Sequence, residues 1–103
     1  MTESECHDFL VQTCKQLEAE DHVLRFDIRK TGISEEEKVV LGVLFQVIVT
    51  HRKLEEEFTT GKRESYNYYV CDITIDAMTY KDPQYFAYRL KDAAECVKSQ
   101  IEN

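Results

Sequence analysis

The sequence predicts an α+β domain in which a helix, a three-stranded antiparallel meander and a second helix follow one another (αβββα), with both helices on one face of the sheet. Apolar residues recur at helical spacing near both ends of the chain, and they alternate with charged residues in two short internal segments. The stretch between those two segments is almost wholly apolar. Because 103 residues suffice for one core but not for two, residues 1–103 are expected to form a single domain.

Both ends of the chain carry the signals of amphipathic helices. From Thr2 to Ala19 the apolar residues follow helical spacing, and Thr2 with Glu5 forms a capping box. The last segment opens with Asp82 and Pro83, an N-cap followed by a first-turn proline. The apolar residues are Cys6, Phe9, Leu10, Cys14 and Leu17 in the first helix, and Phe86, Leu90, Ala93, Ala94, Val97 and Ile101 in the last, which Tyr85 and Tyr88 flank.

Two segments alternate strictly between apolar and polar residues, as half-buried strands do. The first runs from about Val23 to Lys30, and the second is YVCDITID. The residues expected to face the core are Leu24, Phe26 and Ile28 in the first strand and Tyr69, Cys71, Ile73 and Ile75 in the second. The residues expected on the opposite face are Arg25, Asp27, Arg29, Asp72, Thr74 and Asp76.

The apolar stretch VVLGVLFQVIVTH, Val39 to His51, is interpreted as the central strand. Six of the eleven residues from Val39 to Val49 are β-branched Val or Ile, and a central strand is normally covered on both faces. The alternative is a mostly α fold with residues 35–54 as a central buried helix, capped by Ser34 and Glu37. Such a helix is apolar around its whole circumference, and a domain of this size scarcely surrounds it.

The segment EEEFTTGKRE after the central strand is interpreted as a hairpin. Thr60 and Gly61 stand between an acidic arm and a basic arm, which would form cross-strand charge pairs. The sequence therefore predicts that the central strand leads directly into the third strand.

One row of the central strand is expected to face away from the helices. Val40, Leu44 and Ile48 belong to the row that Gly42 and Gln46 interrupt, and this row suits the outer face. An apolar stripe on an open sheet favours burial by a second copy of the chain. We therefore predict a homodimer through Val40, Leu44 and Ile48; the competing interpretation is that the segment from Thr31 to Lys38 folds over the stripe.

Composition restricts the classes of partner and the compartment. The chain has 13 basic and 20 acidic residues and a net charge of −7, which disfavours nucleic acid and anionic membranes as partners. Its longest apolar run is shorter than the ~20 residues that span a bilayer, and the beginning, MTESECHDFL, has no signal-peptide pattern. A cytoplasmic, reducing location is expected. The four cysteines show no paired spacing, so neither a metal site nor a cofactor is predicted.

No pattern of residues indicates catalysis. His7, His22 and His51 are scattered, and a nucleophilic pair would require Cys71 or Cys96 to meet a histidine through the fold. An enzyme is therefore the interpretation we favour least.

The most distinctive surface residues are acidic and aromatic: Glu55, Glu56, Glu57, Tyr66, Tyr68 and Tyr69. Tyrosine provides a large contact area at a small entropic cost, so this set predicts binding of another protein with a basic or mixed surface. The resulting hypothesis is a non-enzymatic protein-binding domain of the adaptor, chaperone or inhibitor type, which includes phage or mobile-element proteins that act on a host machine. The alternative is a nucleotide- or metabolite-binding domain with a pocket at a subunit interface, where Arg25 and Arg29 would hold a phosphate or carboxylate.

Overall fold

The computed structural model describes residues 2–76 and 83–102; in the last helix it describes the side chains at 84 and 87–99. The elements are α1 (Glu3–Glu20), β1 (Leu24–Glu36), β2 (Val39–His51), α2 (Arg52–Thr59), β3 (Tyr69–Asp76) and α3 (Pro83–Glu102). The strands form one antiparallel sheet in the order β1-β2-β3. The predicted α+β meander is confirmed, and the alternative of a helix over residues 35–54 is wrong.

β2 is the centre of the fold because both its neighbours pair with it along most of its length. Its buried residues Val43, Phe45, Val47 and Val49 are each at most 1% exposed, and they point to one face. The period of two in this burial is that of a strand, and the β-branched residues suit it.

α1 and α3 pack on the face of the sheet that carries these β2 side chains. One connected core contains Cys6, Leu10, Cys14 and Leu17 of α1, Leu24 and Phe26 of β1, Val43, Phe45, Val47 and Val49 of β2, Cys71, Ile73 and Ile75 of β3, and Leu90, Ala93, Ala94 and Val97 of α3. The predicted capping box forms, since the Glu5 amide donates to Thr2 Oγ1 at 3.1 Å. Lys98 Nζ on α3 lies 2.7 Å from Asp21 Oδ2, which joins the carboxyl end of α1 to α3.

Several sequence predictions for the last segment fall outside the described residues. Asp82 is not among the described residues, and neither are the side chains of Tyr85, Phe86 and Ile101. Tyr88 is described and is 67% exposed.

The β1–β2 hairpin is longer than the sequence predicted. β1 continues to Glu36, and a two-residue turn at Glu37 and Lys38 leads into β2. These two residues have φ angles of 48° and 69°, the left-handed values that tight hairpin turns require. The prediction that the segment from Thr31 to Lys38 is a loop is wrong, because most of it pairs with β2 and so does not fold back over the sheet.

The predicted hairpin at EEEFTTGKRE is also wrong, because its acidic arm belongs to α2. The His51 Nδ1 atom accepts the Lys53 amide at 3.2 Å and so caps the helix, while Leu54 is buried at 1% exposure. Gly61, with φ of 82°, follows the helix end. The expected pairing of the acidic and basic arms does occur, between Arg63 Nε and Glu57 Oε2 at 3.0 Å, but it lies at the end of a helix.

Candidate protein-binding surface

The face of the sheet opposite α1 and α3 is called the open face from here on. It carries Arg25, Asp27 and Arg29 of β1, Leu44, Gln46, Ile48 and Thr50 of β2, and Val70, Asp72, Thr74 and Asp76 of β3. Leu44 and Val70 are 40% and 41% exposed, and Ile48 is half-buried. Ile48 and Val70 therefore lie side by side, and Leu44 lies beyond Gln46 on the same face, which neither long helix covers.

Val40 does not share this face with Leu44 and Ile48, so that part of the predicted stripe is wrong. The pairing shifts between Ser34 and Glu35, which leaves Leu41 without a partner in β1. Such a bulge reverses the alternation of side chains beyond it. Val40 packs against the core on the helix side, and Val39 and Leu41 are exposed at 61% and 47%.

α2 covers one end of the open face. Thr50 is only 2% exposed although its side chain belongs to that face, and Leu54 is buried outside the connected core. Arg25 Nη2 lies 2.7 Å from Glu55 Oε2, and Arg25 Nη1 lies 3.1 Å from Asp27 Oδ2. The uncovered part of the open face therefore extends from Ile48 towards the hairpin.

The two arginines proposed for ligand binding have different surroundings. The Arg25 guanidinium is already held by Glu55 and Asp27. Arg29 is exposed and, within the part of the chain that the structure describes, makes no ion pair. No tyrosine lines the surface cavity that includes Arg25, whose described walls are Arg25, Arg52, Glu55, Glu56, Thr59 and Thr60. A single chain therefore does not bring the two arginines together in a tyrosine-lined cleft.

The predicted acidic patch is largely neutralised by internal pairing. Glu55 is paired with Arg25 and Glu57 with Arg63. Glu56 is exposed, and its carboxylate makes no ion pair with a described residue. Of the acidic run, Glu56 alone is available to a partner without the loss of an existing contact.

The tyrosines adjoin the open face and form a chain of rings with Phe58. The ring centroids of Phe58 and Tyr66 are 5.2 Å apart, and those of Tyr66 and Tyr68 are 6.3 Å apart. Tyr68 is 56% exposed and Phe58 47%. Tyr69 is 44% exposed, and it lies on the same face of β3 as Cys71, the face that α1 and α3 cover. We call Phe58, Tyr66 and Tyr68 the aromatic cluster.

Sequence analysis missed two apolar members of this surface, Phe58 and Val70. The signal for Val70 was present, because the period of two that places Asp72 outward also places Val70 outward. Phe58 was hidden by the hairpin interpretation, whereas on a helix it stands four residues from Leu54, on the same side.

Nothing in the described residues supports nucleophilic catalysis. Burial raises the pKa of Cys14 to about 12, and burial also raises the pKa of Cys71, which disfavours both thiolates. The charges that act on Cys71 come from Arg89, Asp72 and Cys96, with no described histidine among them. Burial lowers the pKa of His51, whose Nδ1 already caps α2. Among the described residues, no group of His, Cys, Asp and Glu side chains could hold a metal ion.

A second concave surface lies between β3 and α3. This groove has a volume of about 320 Å³, and its described walls include Tyr69, Tyr88, Arg89 and Asp92. Arg89 Nη2 donates to the Asp72 carbonyl oxygen at 3.1 Å. Tyrosines and an arginine do meet in this protein, but the arginine is Arg89, which sequence analysis did not single out.

No family model, curated protein or solved structure matches this chain. No helix in the described ranges is long and apolar enough to cross a membrane. The functional argument therefore rests on the geometry and chemistry of the surfaces above.

Proposed function

We propose that the protein is a non-enzymatic protein-binding domain of the adaptor, chaperone or inhibitor type, acts in the cytoplasm, forms a homodimer, and uses the open face as its binding surface. One observation carries the proposal: the apolar side chains of Leu44, Ile48 and Val70 are exposed or half-buried on a sheet whose other face holds the core. Covering apolar surface is favourable by about 25 cal/mol per Å². Exposed apolar side chains gathered on one face of a sheet, with polar residues among them, favour a contact site.

The residues around the apolar surface favour a protein as the occupant. The exposed rings of the aromatic cluster supply contact area that loses little side-chain entropy on binding. Asp72, Glu56 and the net charge of −7 suit a partner whose contact surface is basic or mixed. Small acidic domains from phages or mobile elements that block a host machine fall in this class by analogy of size and charge alone.

Affinity capture from the native cell tests the proposal. The bait is the wild-type chain, the Leu44→Asp variant, or the control Gln16→Asp, which changes an exposed position on α1. We expect Leu44→Asp to lose the captured protein because an ionised carboxylate would have to be buried in the contact, and we expect Gln16→Asp to keep it. Circular dichroism of both variants establishes that each is folded. Equal capture by folded Leu44→Asp and by wild type would contradict the proposal.

The second candidate function is binding of a small anionic ligand in the groove between β3 and α3. Arg89 and the tyrosines at positions 69 and 88 favour it, because a guanidinium beside aromatic rings suits a phosphate or carboxylate. Thermal-shift measurements with nucleotides and small carboxylic acids, on wild type and on Arg89→Gln, separate the two functions. A protein-binding domain gives no shift, whereas a shift that Arg89→Gln abolishes would favour the ligand.

A further inference from the structure

Three side chains cross the open face at the same level. Arg29 on β1 is paired in register with Gln46 on β2, and Gln46 with Asp72 on β3. Gln46 Nε2 donates to Asp72 Oδ1 at 3.2 Å. Arg29 makes no ion pair with a described residue, Asp72 included, and the two residues stand two strands apart, about 10 Å between their backbones. The open face thus carries a basic side chain at one edge and an acidic side chain at the other, with Gln46 between them and the apolar residues Leu44 and Ile48 on either side of Gln46 along β2.

Two copies can place their open faces together around a two-fold axis that lies between the sheets. If the axis runs parallel to β2, the β1 strand of each copy lies over the β3 strand of the other. Each residue then faces a residue at the same position along the strand direction. Arg29 then faces the Asp72 of the other copy, and this contact occurs twice by symmetry. Leu44 and Ile48 meet their own counterparts close to the axis.

We propose that the occupant of the open face is a second copy of this chain, arranged around a two-fold axis parallel to β2 and joined by two symmetric Arg29–Asp72 ion pairs. This inference rests on the proposed function, because it names the partner of the same surface. The observation that carries it is charge complementarity of the face with itself: Arg29, which makes no ion pair with a described residue, and exposed Asp72 lie in the same row on opposite sides of β2.

The other simple arrangement has poorer electrostatics. With the axis perpendicular to the strands, β3 lies over β3, and its aspartates at positions 72 and 76 approach the same residues of the second copy. Like charges placed opposite one another disfavour that contact. Charge alone therefore selects the axis parallel to β2.

The size of the surface sets the expected strength of the dimer. Three strands span about 14 Å, and the levels from Gly42 to Ile48 span about 24 Å, so face-to-face contact covers roughly 700 Å² over both copies. This is below the range of standard stable interfaces, so we expect association at micromolar concentrations that depends strongly on single charges.

A charge-reversal experiment tests the arrangement. Arg29→Asp and Asp72→Arg are each purified, and their masses are measured by sedimentation equilibrium alone and after mixing. We expect each variant alone to weaken self-association by about a hundredfold, because each places like charges together twice. We expect the mixture to form heterodimers, because in a mixed pair both contacts again join Asp with Arg. Lys15→Asp and Asp8→Arg, both at exposed positions on α1, are the matched controls and should behave as wild type.

The outcomes are decisive in both directions. Weakened association of each variant alone, followed by recovery on mixing, supports the parallel axis, since in the perpendicular arrangement each strand lies over its own counterpart and reversing one charge creates no new repulsion. A monomeric wild type at micromolar concentration, or a mixture that stays monomeric, overturns the inference. If wild type is monomeric and Leu44→Asp still loses a captured protein, the inference and the homodimer fail while the protein-binding role of the open face stands. If wild type is monomeric and Leu44→Asp keeps the captured protein, both the inference and the proposed function fail.

Discussion

Truncating Leu44 and truncating Phe45 should have very different effects on stability, although the two residues are neighbours in sequence. They lie on opposite faces of β2: Phe45 is 1% exposed within the core, and Leu44 is 40% exposed on the open face. Phe→Ala in a packed core costs about 3–5 kcal/mol. Leu44 is already two-fifths in water, so Leu44→Ala should cost about 1–2 kcal/mol of the free energy of unfolding.

The assay is urea unfolding followed by far-ultraviolet circular dichroism, at several protein concentrations so that any contribution from self-association is separated. We expect the two losses to differ by at least about 1 kcal/mol, with Phe45→Ala the larger. Equal losses would refute the placement of Leu44 and Phe45 on opposite faces of a strand. In a helix that is buried on every side, truncating either of two neighbouring residues costs a similar amount of free energy.

Three further predictions concern the turn, the helix cap and the thiols. Lys38→Gly should raise the free energy of unfolding by about 1 kcal/mol, because glycine adopts the positive φ of 69° without steric strain; a loss of stability in urea unfolding would contradict this. Burial lowers the pKa of His51, so its contribution to the free energy of unfolding should be fully present above the ordinary pKa of 6.5 and be lost as the pH falls below that value. In His51→Asn, asparagine should cap α2 and the melting temperature should depend less on pH. Identical melting profiles of wild type and His51→Asn from pH 7 to 5 would contradict this. A thiol reagent should modify exposed Cys96 rapidly and buried Cys14 and Cys71 only on unfolding, and rapid labelling of Cys71, measured by mass spectrometry, would reopen the nucleophile hypothesis.

The elements that bury one face were predictable from sequence. In β1 and β3 the alternation of apolar and charged residues is a direct consequence of one buried face, and α1 carries both helical spacing and its capping box. β2 required a further argument, since its apolar pattern suits either structure. The small size of the domain decided correctly for a strand.

The elements that bury little were not predictable in the same way. The hairpin end of β1 is polar and exposed, so no alternation marks it. α2 has Leu54 as its one buried residue and is capped by a histidine in place of the usual Ser, Thr, Asp or Asn, so its acidic run resembled a hairpin arm.

Which residues belong to the candidate site depends on contacts between distant parts of the chain, and local sequence patterns do not predict such contacts. The row with Leu44 and Ile48 follows from the period of two, but the bulge at Leu41 turns Val40 to the core, and bulges leave no local signature here. Pairing of Glu55 with Arg25 joins residues thirty positions apart. That pairing altered both the predicted acidic patch and the predicted ligand site.

Photo-crosslinking in the native cell tests most directly whether the open face binds protein. A photoreactive amino acid replaces Leu44 in one variant and exposed Gln16 of α1 in a control. The account predicts a crosslinked protein adduct from position 44 and none from position 16, and an adduct of twice the 12.1 kDa chain mass would identify the second copy. Absence of an adduct from position 44, or equal adducts from both positions, would contradict the claim that the open face is a specific binding surface.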